Sequence, residues 1–207
     1  MGRLQNFLSD VTDDKLTFDQ IVQKHILAAR SEKLDDEQER DLRIAVSDSF
    51  NIPVTSVCIV GSAKLGFRLF PKPKVGKDIP ERAQFSEFDD HSDIDVAIIS
   101  QGKFLSHWRT VYNFFRVGGY APRSSWKPQT ENHDFSYNLT RGWIRPDAMP
   151  GTGAYDQKSK WQSQVDLINQ KRIIPYAVKV GLYFDDQFLM GYHANGIQKC
   201  KEIYAKR

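Results

Sequence analysis

The sequence predicts an α+β fold, a small mixed β-sheet with helices around it, and three observations carry that reading. Two apolar, β-branched runs at residues 56–60 and 94–99 have the length of buried strands. A third spans 172–184. Between them apolar residues recur at three- and four-residue spacing, the period of an amphipathic helix. The order is helix, helix, strand, strand, helix, an irregular region, helix, strand, helix. At 207 residues the chain reads as one unit in three parts: N-terminal helices over 1–51, a core carrying the chemistry over 52–115 and a basic part over 116–207.

Thr17 suits an N-cap, and Phe18, Ile21, Val22, Ile26 and Ala29 fall on one helical face, with His25 at its edge. Acids at Asp35, Asp36 and Glu37 open a second helix that buries Leu42, Ala45, Val46 and Phe50. Asn51-Ile52-Pro53 ends it, because proline disfavours helical geometry in the residue before it. The first strand then stops at Gly61-Ser62, followed by a short helix or turn carrying Lys64 and Arg68. Residues 71–90, rich in Pro, Gly, Lys and acids, read as a surface excursion. At its end Asp89, Asp90 and His91 are either further metal ligands or solvated loop residues.

After the second strand, Phe104, Leu105, Trp108, Val111, Tyr112, Phe114 and Phe115 form an apolar helix, with Gly118-Gly119 closing it. Residues 120–160 resist assignment. They hold Trp126, Trp143 and the basic phrase Arg141-Gly142-Trp143-Ile144-Arg145-Pro146-Asp147, which suits nucleotide stacking and phosphate contacts. A helix follows through Trp161, Val165 and Ile168. In the third strand Pro175 implies an edge, a bulge or the first residue of a new segment, and Asp185-Asp186 opens a last helix running to Tyr204.

Composition is that of an ordinary globular chain, 40% hydrophobic and 27% charged. No apolar run approaches the roughly 20 residues that span a bilayer, and the N-terminus has no apolar signal core, so a cytoplasmic protein that meets no membrane is expected. Cys58 and Cys200 lack metal-ligand spacing and read as reduced thiols. The net charge of +3 hides a gradient: −4 over 1–51 and −1 over 52–100, then +4 over 101–150 and +4 over 151–207. A basic half facing acidic ligands suits a polyphosphate or oligonucleotide partner.

The chemistry lies in two places. The turn at Gly61-Ser62 offers backbone N–H groups to phosphate oxygens. Asp93 and Asp95, two apart at the head of a strand, share one face while Ile94 and Val96 take the other. Two neighbouring carboxylates repel and call for a cation, and magnesium favours such hard oxygen donors.

Gly-Ser at one strand end and Asp-Ile-Asp at the start of the next resemble the signature of the DNA polymerase β-like nucleotidyltransferase superfamily, and of its minimal bacterial members above all. The likeness covers residues 57–99, although 31 positions separate Ser62 from Asp93, a longer gap than compact members have. It implies a nucleotidyltransferase fold and a Mg2+- or Mn2+-dependent transfer from a nucleoside or deoxynucleoside triphosphate with release of pyrophosphate. Gly61, Ser62 and Lys64 would bind nucleotide, and Asp93 and Asp95 would be catalytic and hold two ions roughly 3.5–4 Å apart. Such enzymes use a third carboxylate on a later strand. Here that strand offers Lys179, which leaves Asp147 and Asp166 as candidates.

Size and motif are also similar to the Hailong type of anti-phage nucleotidyltransferase. That likeness implies a short oligonucleotide signal, such as oligodeoxyadenylate, an effector protein that reads it, and Tyr204 as a candidate primer. The alternatives are transfer of a single nucleotide to a protein or RNA acceptor, as in toxin–antitoxin systems, and a pseudoenzyme that binds nucleotide and regulates a partner.

Overall fold

The computed structural model describes residues 2–13, 15–74, 81–116, 135–149 and 155–206. Helix α1 (Arg3–Thr12) precedes α2 (Phe18–Val22), which Thr17 caps by accepting the Gln20 N–H and which runs on into a π-helical turn over Gln23–Leu27. Asp35 caps α3 (Asp36–Phe50), whose first turn holds Asp36, Glu37 and Glu39, and left-handed Asn51 ends it. Then come β1 (Val57–Val60), α4 (Gly61–Leu65), β2 (Ile94–Ile99) and α5 (Gln101–Arg116). Helix α6 (Phe135–Thr140), β3 (Trp143–Ile144), α7 (Tyr155–Gln170), β4 (Val178–Tyr183) and α8 (Asp186–Tyr204) complete the described chain.

The four strands form one mixed sheet in the order β1-β2-β4-β3. β1 is antiparallel to β2, β2 parallel to β4, and β4 antiparallel to β3. Residues paired across strands share a face, so the register sorts the core into two layers. On one face Ile59, Val96, Val180 and Leu182 join Leu42 and Phe50 of α3, Phe104 of α5 and Trp161 of α7. On the other Val60, Ala97 and Tyr183 meet Phe7 of α1, Ile21 of α2 and Leu189 and Ile197 of α8. The second face continues along the strands to Asp95 and Lys179, both exposed, where the helical cover stops. Among the described residues no helix is long and apolar enough to cross a membrane.

The 31-position gap between Ser62 and Asp93 closes on itself. Phe67 bridges Glu87 and Lys72 bridges Arg82 in antiparallel sense, and the Phe88 N–H donates to the Gly66 carbonyl at 2.9 Å. The chain therefore returns to where it left, and the extra length does not separate β1 from β2. Inside this return, the buried Arg68 guanidinium donates to the Glu87 carbonyl at 2.8 Å, to Asp89 at 3.0 Å and to the Ser92 hydroxyl.

The expected third strand is shorter than its apolar run. Asn169 at the end of α7 accepts the Val178 N–H at 2.7 Å and donates to the Val178 carbonyl at 3.2 Å, acting as a side-chain substitute for a neighbouring strand. Residues 172–177 before it form a loop, with Arg172 at φ 49°. Helices α1 and α6 and the two-residue β3 lie where the sequence pattern predicts no element. Gly118-Gly119 and Trp126 lie outside the described residues.

Candidate active site

β1 delivers the turn to the carboxylates. Val60 pairs with Asp95, so Gly61, next in the chain, lies against the Asp95 side chain. Gly61 has φ +69°, and a Cβ built there would stand 2.5 Å from Asp95 Oδ2. Only glycine meets both demands, a left-handed backbone and a contact with no room for a methyl. Gly61 and Ser62 remain half-buried, within reach of solvent. The turn is braced from behind, because the Ala63 carbonyl accepts the Ser31 hydroxyl at 3.0 Å and the Glu32 and Lys33 N–H groups at 3.2 Å.

On the same face Asp93 and Asp95 stand two apart, and the register places Lys179 of β4 beside Asp95. Its ammonium reaches diagonally to Asp93 Oδ2 at 2.5 Å. The Asp95 carboxyl titrates at about 6, raised by burial first and by the Asp93 charge second, against the pull of Lys179, Lys72 and Arg145. Its side chain stays open to water, yet enough protein surrounds it for loss of bulk solvent to be the larger effect. Asp95 therefore lies at the open end of the sheet's second face, against Gly61 and beside Lys179.

The sequence pattern singles out Trp143 for stacking but not Tyr183 or Tyr192, which pack with it near Asp95. Trp143 stacks on Tyr183 with centroids 6.2 Å apart and lies 4.8 Å from Tyr192 of α8. Burial raises both tyrosine hydroxyls, and the Asp95 charge adds to it. Arg141 and Arg145 act on Tyr192 in the opposite sense, and Arg145 also acts on Asp95, so part of the basic phrase at 141–147 lies near that acid. Its local signal was legible, but its placement depends on β3 pairing with β4. Beside the same sheet end, a hollow of about 460 Å3 lies between Asn169 and the loop 172–177.

Other residues singled out in the sequence lie elsewhere. Lys64 is buried, 3.4 Å from Glu39 Oε1, and burial pulls its ammonium below the usual lysine range. A phosphate contact would have to break that pair. Arg68 is likewise committed to the return loop. Burial opposes ionisation of Asp89, but the Ser92 hydroxyl, Arg68 and Arg82 outweigh it and hold its carboxyl at about 2, so this acid is a structural anchor. Asp147 binds Arg145 through both oxygens, at 2.6 and 3.3 Å. Asp166 lies exposed on α7 and accepts from Gln162 at 2.8 Å. Tyr204 packs edge-on against Phe85, 5.5 Å between centroids, about 18 Å along α8 from Tyr192 at 1.5 Å rise per residue.

Asp93 and Asp95 fit one Mg2+ or Mn2+, two hard donors on one face with water and phosphate oxygens completing the shell. A two-ion arrangement would need at least one further ligand. Among the described residues no three His, Cys, Asp or Glu side chains gather as a metal ligand group, and the position beside Asp95 holds a lysine. Comparison with known proteins gives no match to this chain, whether among family models, curated proteins or solved structures.

Proposed function

We infer that this chain is a nucleotidyltransferase that takes a nucleoside or deoxynucleoside triphosphate and releases pyrophosphate. The observation that supports it is the contact between the Gly61 turn and Asp95 on paired antiparallel strands. Backbone N–H groups of the turn and the carboxylate pair would then act together on one metal-bound triphosphate tail. A Mg2+ or Mn2+ held by Asp93 and Asp95 would neutralise the phosphate oxygens and polarise the reacting phosphorus.

The chain's own residues position and shield. Lys72, Arg145 and Lys179 set a positive potential at Asp95, where the tail would lie. Trp143, Tyr183 and Tyr192 pack together near Asp95 and would bound one side of the nucleotide site. In the transfer, the acceptor oxygen bonds to the α-phosphorus, the bond to the β-bridging oxygen breaks, pyrophosphate leaves with that electron pair, and the acceptor's proton passes to water. Catalysis of this kind is mostly positioning and charge neutralisation.

One observation favours a second reading, triphosphate binding without turnover: the Lys179 ammonium already occupies one of the two carboxylates. A single experiment separates the two. The purified protein is incubated with Mg2+ and each common NTP and dNTP, and products are read by mass beside the Asp93→Ala/Asp95→Ala protein. Pyrophosphate release by the native chain alone, with both proteins equally folded by circular dichroism, supports transfer. Release that survives the double substitution refutes the site. Nucleotide binding with no release from any of the triphosphates favours the second reading.

A further inference from the structure

The alternation of β4 is regular on one face, with Val178, Val180 and Leu182 buried, while Lys179 projects from the other onto an acidic pair. Its side chain is 64% exposed, so nothing apolar forces it there. It lies beside Asp95 by register, and its ammonium pairs with Asp93. A flexible stem carrying a compact point charge is able to hold that place or swing from it towards a phosphate oxygen.

We propose that Lys179 is a tethered cation in the place of a second divalent ion, so that the site binds one Mg2+ per triphosphate and not two. The proposal rests on the functional reading above and concerns the ion count of that same site. The charge inventory leads to it. Two carboxylates and one ammonium leave a single negative charge, which one divalent ion reverses to a single positive charge, suited to a polyanionic tail. A second divalent ion would have to settle within a few ångströms of both the first ion and the ammonium, whose charges oppose it. Asp147, the acid nearest in sequence to the basic phrase over the site, is already bound through both oxygens to Arg145. Lys179 therefore alternates between Asp93 when the site is empty and the phosphate tail when an ion takes Asp93.

The test is low-temperature electron paramagnetic resonance of the full chain with Mn2+ and the α,β-methylene analogues of ATP and dATP. Two Mn2+ ions in one site couple magnetically, whereas one gives an isolated spectrum. The native protein should show the isolated signal, and Lys179→Asp, which replaces the ammonium with a third carboxylate, should show the coupled pair. A coupled pair in the native protein overturns the inference and leaves the functional reading standing. Isolated signals in both proteins also overturn it, since Lys179 would not be what excludes the second ion. No protein-bound Mn2+ in either protein overturns both. Should Lys179→Asp fail to fold, Lys179→Gln carries the test: with the competing charge removed, Mn2+ should bind about tenfold more tightly. An unchanged or weaker affinity overturns the inference.

Discussion

Gly61 is the position where the smallest change should have the largest effect. In Gly61→Ala the methyl would fall 2.5 Å from Asp95 Oδ2, and the backbone would keep a φ of +69° that alanine tolerates poorly. The strain should cost about 1–2 kcal/mol of stability, visible as a modest fall in melting temperature. Pyrophosphate release should fall further, by about a hundredfold, because displacing a reacting group by an ångström is that costly. A variant melting like the native protein with full activity would show that the contact is irrelevant. The acid pair was legible because a strand's period of two fixes which residues share a face, whatever surrounds them. Lys64 was not legible. Its burial depends on Glu39, 25 positions earlier, and no local pattern announces a lysine turned inward to an acid on another helix.

At the scale of elements, long periodic segments were readable and short ones were not. Thr17, Asp35 and Asp185 each cap a helix as their residue types suggest. β3 has two residues and so no period at all, and it exists only because Phe184 donates to the Gly142 carbonyl and β4 pairs with Trp143 and Ile144. The run 172–184 overstates β4 because Asn169 takes over the hydrogen bonds of Val178. Helix α8 contains a consequence for pH. Burial of His193 against α8's neighbours pushes its imidazole down to about 4, and its Nε2 has no hydrogen-bond partner among the described residues. The unfolded chain, with an ordinary value near 6.5, takes up the proton first, so its stability contribution is whole above about 6.5 and is lost as pH falls towards 4. Between pH 7.5 and 5 the loss should be about 2 kcal/mol. His193→Leu should flatten the native protein's stability profile by that amount in urea titrations at the two pH values, and identical profiles would remove His193 as the cause.

For the molecule as a whole, the charge gradient read from the sequence has a physical location. The basic second half supplies Arg145 and Lys179 to a site whose acids come from the first half, so the two meet only once β2 and β4 pair. The layering, a mixed sheet with helices on both faces, follows from strands that are apolar on both sides through most of their length. That much was legible in composition and period. The closing of the long excursion was not, since it depends on Arg68, Asp89 and Ser92, a polar cluster whose members look like loop residues one by one.

Helix α8 touches both ends of this arrangement. Near its start Tyr192 feels the charge of Asp95, while further along Cys200 accepts from Gln84 and Tyr204 leans on Phe85 of the excursion. A rod fastened at two points transmits displacement, so events at the acids reach the far end without any segment unravelling. Adding Mn2+ and a triphosphate analogue should slow amide hydrogen exchange at residues 198–204 as well as beside Asp95, and unchanged exchange there would mean the rod pivots freely. Fluorophores placed near the last turn would then report on occupancy from a distance, making the terminal helix a natural gauge of whether the acids hold a ligand.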